Sequence, residues 1–151
     1  MKTQFWKLVL FSLLWLGSLS FAAHADDAGQ AAVPNVVGTW TGEFKLLHGT
    51  GPAEQALELK VLEQDGPLIK GEKHWRIKSG GTAGNVAGQN RMEATESLVG
   101  VIGFDGTIHL AEQGDTGLYT GRLTAPDTLE VVYIEAGDLA TAYRAMLKRT
   151  K

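Results

Sequence analysis

From Val37 onward the chain alternates apolar and polar positions in short runs, each cut off by turn-forming residues. In the first run Trp40, Gly42, Phe44 and Leu46 share one face, while Thr39, Thr41, Glu43 and Lys45 share the other. Leu57, Leu59 and Val61 oppose Glu58 and Lys60. Ile69, Gly71, Trp75 and Ile77 oppose Lys70, Glu72, His74 and Arg76, and Tyr119, Gly121 and Leu123 oppose Thr120 and Arg122. A period of two places successive side chains on opposite faces of a strand. Eight such runs can be read, at 37–47, 56–64, 68–78, 92–103, 106–112, 117–124, 128–135 and 139–149. One apolar and one wet face on each is the pattern of a small sandwich or closed barrel.

The breaks between runs have a local cause. Gln64-Asp65-Gly66-Pro67, Asp105-Gly106 and Gly137-Asp138 supply residues that accept positive φ in tight hairpins, and Ala125-Pro126-Asp127 fits a turn with φ fixed by proline. Short turns join antiparallel neighbours. The expected fold is therefore all-β, an eight-stranded antiparallel meander barrel. Residues 79–90 carry glycines at 80, 81, 84 and 88 and predict one long loop over one end. The last run is ambiguous. Leu139, Tyr143, Met146 and Leu147 also fit a helical stripe, with Ala140, Ala142 and Ala145 favouring helix. A strand there would close the barrel and leave no edge; a helix would cap a seven-stranded sheet.

The first residues change the picture of where this domain works. Lys2 and Lys7 precede an uncharged apolar stretch from Leu8 to Phe21, and Ala23-His24-Ala25 offers small residues where a signal peptidase needs them. Residues 1–25 thus predict a cleavable signal peptide, 26–36 a flexible lead-in, and 37–151 a single barrel domain, periplasmic or secreted. The apolar stretch is shorter than the roughly 20 residues of a membrane span, so no membrane association is expected after cleavage. Losing 1–25 removes two lysines and no acidic residue, so the net charge moves from −3 to −5. An acidic surface argues against a nucleic-acid partner. The absence of cysteine excludes disulfides, thiol catalysis and Cys-ligated metal.

Gly38-Thr39-Trp40, opening the first strand, and Lys148-Arg149, closing the last, resemble the ends of lipocalin/avidin-like (calycin-type) up-and-down barrels. The resemblance implies that Trp40 plugs one end and that Arg149 lies across its indole, an arrangement supported by cation–π attraction. It also implies a small-molecule ligand. The departures are specific: no Thr-Asp-Tyr motif is present, avidin's biotin-contacting residues have no match, and the mature barrel is shorter than most lipocalins. A shallow or filled cavity follows.

Candidate chemistry is sparse. His48, beside Gly49, reads as a turn residue, and His74 and His109 fall on solvent faces; none has metal-ligand spacing. There is no Gly-x-Ser-x-Gly elbow, P-loop or dinucleotide fingerprint, so no enzyme, cofactor or metal is expected. Two charges break the inward pattern: Lys73 shares the face of Trp75, and Glu96 that of Ala94 and Leu98. An isolated buried ion is very costly, so the two should pair. They predict a polar spot in a pocket lined by Trp75, Phe44 and Tyr119; a rim salt bridge, or a register slipped by one residue, is the competing reading. The expected function is binding of a small, partly apolar molecule in the barrel mouth. The alternative is a protein-interaction module, such as an inhibitor of an exported hydrolase.

Overall fold

The computed structural model describes residues 32–49, 51–80, 92–138 and 140–150. The expected signal peptide and most of the expected long loop lie outside these residues. Eight strands follow one another around a closed antiparallel barrel: β1 (Gly38–His48), β2 (Gly51–Asp65), β3 (Leu68–Gly80), β4 (Glu93–Ile102), β5 (Ile108–Glu112), β6 (Leu118–Ala125), β7 (Thr128–Glu135) and β8 (Thr141–Thr150). The architecture is compatible with a calycin-like fold.

The last run resolves as strand. In β8, Thr141, Tyr143, Ala145 and Leu147 are buried, while Ala142, Arg144, Met146 and Lys148 face out. This segment pairs with β7 along its length and with β1 through Trp40↔Arg149 and Leu47↔Ala142. Both neighbours would otherwise leave open edges, and satisfying them outweighs the alanines' modest helix preference.

β2 begins five residues earlier than its alternation suggests. His48 pairs with Gly51, so the β1–β2 turn is tight, and Pro52 lies just before the first β2 residue that pairs with β3. The missing proline N–H therefore interrupts no bond on the β3 side. A bulge around Leu62 leaves that side chain exposed and resets the parity of β2, turning Gln64 to the barrel end. Its side-chain amide donates to Pro34 O, and its carbonyl accepts from Val36 N. Gly66 and Gly106 adopt φ of 54° and 80° in their hairpins, which only glycine accepts without strain.

The core fills one half of the barrel. Trp40, Leu59, Leu98, Leu129, Leu147 and Val36 are fully buried there. Trp40 Nε1 donates to Val36 O at 3.0 Å, and the Arg149 guanidinium stacks 4.1 Å above the indole centroid. Arg149 also donates to the carbonyls of Val37, Asn35 and Pro126 and pairs with Asp127 at 3.4 Å. Burying an indole removes about 150–250 Å² from water, worth at most roughly 4–6 kcal/mol. This end is plugged by apolar packing and sealed by a cation. The other end is built differently.

Candidate functional site: a polar mouth

At the end opposite Trp40 the inward positions change from aliphatic to polar and aromatic. β1 ends in His48, β5 in Glu112 and β7 in Tyr133 and Glu135; β6 begins with Tyr119, and β8 with Thr141 and Tyr143. Lys73, in the middle of β3, reaches up into this group. Its register partner is Glu96 on β4.

The Lys73 ammonium is the hub. It pairs with Glu96 Oε2 at 2.7 Å and with Glu112 Oε1, donates to Tyr133 Oη at 3.2 Å, and lies 4.6 Å from the Tyr133 ring centroid. Tyr133 in turn donates to Glu135 Oε2 at 3.0 Å. The rings form a wall: Phe44 stacks on Tyr143 at 4.3 Å, Tyr143 on Tyr133 at 4.8 Å, and Tyr133 packs against Tyr119 at 4.6 Å. The hydroxyls of Tyr119 and Tyr143 share a hydrogen bond of 2.7 Å.

Burial sets the electrostatics. It raises the Glu112 carboxyl above its ordinary range and pushes Glu135 up to about 7. It also raises all three tyrosines and lowers His48. A carboxylate removed from water is harder to ionise unless donors replace the lost hydration. Those donors are incomplete. Among the described residues, Oε2 of Glu96 and Oε2 of Glu112 are buried without a hydrogen-bond donor, and the former pairs with the Lys73 ammonium. One oxygen each of Glu96, Glu112 and Asp115 lies within 4.8 Å of the other two.

Open space in the mouth is small. A void of about 20 Å³ is bounded by His48, Gln55, Lys73, Trp75, Tyr133, Glu135, Thr141 and Tyr143. That is room for one water-sized group. A roomier hollow lies elsewhere, about 650 Å³ on the outer surface of β6–β8 between Arg122, Arg144 and Met146.

Of the residues expected from sequence, the structure brings Lys73 and Glu96 into direct contact and sets Trp75 against the void. Phe44 contributes through its stack on Tyr143. Tyr119 lies beneath, buried against Tyr133. The Trp40–Arg149 pair forms at the opposite end. His48 is a correction: instead of a surface turn residue it is the last residue of β1, 4% exposed, because the hairpin turns immediately after it. His74 is half-buried beside Thr95 Oγ1, and His109 is exposed. Phe104 stands 88% exposed at the β4–β5 turn and joins neither core nor mouth.

Glu112, Glu135 and Gln55 were not singled out by sequence reasoning, yet parity contained the signal. Ile108-x-Leu110-x-Glu112 and Leu129-x-Val131-x-Tyr133-x-Glu135 each continue an inward series into a charge. No family model matches the chain, and no curated protein or solved structure is significantly similar to it.

Proposed function

We propose that this chain is an exported, non-catalytic binding protein of the lipocalin/avidin type, holding the polar head of a small, partly apolar molecule at the barrel mouth. One observation carries the reading: a buried lysine and several buried carboxylates sit at the base of an aromatic wall, where apolar residues would serve stability better. Replacing buried ion pairs by hydrophobic residues is often neutral or stabilising, so a cluster with unsatisfied oxygens calls for a role beyond folding. The void admits one small group, so the apolar remainder would lie across the rim against Trp75, Phe44 and Tyr143.

A second reading rests on the outer surface. Leu118, Val132, Ile134 and Met146 are 49–59% exposed on adjacent strands, and Leu118↔Ile134 are direct neighbours. An apolar face of this kind on a packed barrel suits a protein partner. Native mass spectrometry of protein purified from its own host separates the two. A retained mass of small-molecule size that Lys73→Met or Glu96→Gln removes supports the mouth. A retained protein that Ile134→Lys releases supports the outer face, and bare protein in every preparation counts against both.

A further inference from the structure

We propose that the head group held at the mouth is a primary ammonium, which makes the ligand class small alkylamines rather than carboxylates or alcohols. The inference rests on the mouth being a ligand site, as above, and specifies what enters it.

The first argument is a side chain with nothing to bond. Gln55 lies on β2 between its register partners Phe44 and Ile77, is 5% exposed and bounds the void. Among the described residues its amide has no hydrogen-bond partner. A primary amide removed from water without a partner is costly, and a polar group seated in the void supplies one. The void of about 20 Å³ holds one group the size of a water molecule. A primary ammonium has that size, and the alkyl chain behind it would leave along the aromatic rim.

The second argument is the state of the lysine. Lys73 is the intuitive partner for an anionic head, yet its ammonium is fully engaged. Glu96 Oε2 at 2.7 Å, Glu112 Oε1, and Tyr133 Oη at 3.2 Å take up its three N–H donors. A carboxylate head would find no free donor on Lys73. It would also add negative charge to a site that already holds Glu96, Glu112 and Glu135. An ammonium meets the reverse. Glu135 answers its charge, the Gln55 carbonyl can accept one of its N–H groups, and the π-system of Trp75 borders the same space. A hydroxyl would fill the void without answering the charge.

The site also carries a pH response of known sign. The Glu135 carboxyl is pushed up to about 7 by burial. Around it stand Tyr133 on its own strand, His48 on β1, Lys73 on β3, Glu112 on β5, Asp115 in the β5–β6 hairpin and Tyr143 on β8. Rising pH takes a proton from Glu135 and from His48, which burial lowers, and both changes favour a bound cation. An alkylammonium keeps its own proton throughout, like a lysine side chain with its pKa of about 10.4.

Titration of hexylamine, hexanol and hexanoate into the purified protein, followed by calorimetry and tryptophan emission, tests the head group. Hexylammonium should bind saturably and about tenfold tighter than hexanol, with hexanoate weakest. Its affinity should rise from about pH 6 to about pH 8 as Glu135 ionises. Gln55→Leu, which removes one acceptor from a charged donor, should weaken hexylammonium about tenfold. Glu135→Gln should flatten the pH response and close the gap to hexanol, while the exposed control Glu63→Gln should change neither. Hexanol or hexanoate binding as tightly as hexylammonium overturns the ammonium and leaves the mouth standing as a ligand site. Hexylammonium binding that both Gln55→Leu and Glu135→Gln leave intact places the amine elsewhere and also overturns it. No saturable binding of any of the three probes counts against the ammonium and the mouth together.

Discussion

Glu135 is buried at the mouth with the Tyr133 hydroxyl as its donor, and its carboxyl is pushed up to about 7. In the unfolded chain it titrates near 4.5. The folded state therefore binds this proton more tightly, and stability falls as pH rises from about 4.5 through 7. Glu112, raised for the same reason, adds in the same direction. Urea midpoints measured across this range should decline toward neutral pH. Glu135→Gln, which cannot ionise, should flatten that decline and gain stability over the unaltered protein above pH 7. Parallel slopes for the two proteins would show that Glu135 does not carry the effect. The decline also means that a cation or ligand head-group reaching the mouth meets a more negative site at pH 8 than at pH 5.

At the scale of elements, the hairpin between β5 and β6 constrains the mouth most closely. Gly117 packs its bare Cα against the Glu112 carboxylate and the Tyr133 hydroxyl. A methyl group there has no room, so Gly117→Ala should cost about 1–3 kcal/mol as overpacking and displace Glu112. Chemical denaturation would report the loss, and tyrosine fluorescence would report disturbance of the Tyr119–Tyr133 pair. Stability within a few tenths of a kcal/mol of the parent would mean that the hairpin backbone can move aside.

The elements also show what the sequence could and could not reveal. Alternation in several runs, with chemically distinct turn residues between them, located the strands up to β7. Lys73 and Glu96 were legible as inward charges for the same reason. Glu112 and Glu135 were passed over because each is the last residue of its strand, where an acidic residue ordinarily belongs to the following turn. His48 was misplaced because Gly49 and Gly51 suggested a longer turn than the two-residue connection that forms. The choice between strand and helix for β8 was not a local property at all. It depended on β1 and β7 needing partners, which appears only when the barrel closes.

For the whole molecule, closure is concentrated where first and last strands meet. Arg149 stacks on Trp40 and ties β8 to the carbonyls of Asn35, Val37 and Pro126. A partly buried cation–π contact contributes about 0.5–2 kcal/mol, and hydrogen bonds from a charged donor about 1.5–3 kcal/mol. Arg149→Ala should therefore destabilise the barrel by about 2–4 kcal/mol in equilibrium denaturation. Arg149→Lys should restore less than half, because an ammonium lacks the planar fork that stacks and donates at once. Full recovery by lysine would reduce the contact to simple charge.

The same meeting of β1 with β8 brings Thr150 within 3.2 Å of the Thr39 carbonyl, with Arg149 reaching Asn35. Residues 111 and 114 positions apart in the chain thus stand side by side beneath the Trp40 plug, on the far pole from the polar mouth. A surface tether or fusion partner attached through either flank would hold the barrel with its mouth facing outward. A short peptide joining the two flanks, with a new chain start cut between β1 and β2, would give a circularly permuted barrel with every strand still beside its native neighbour.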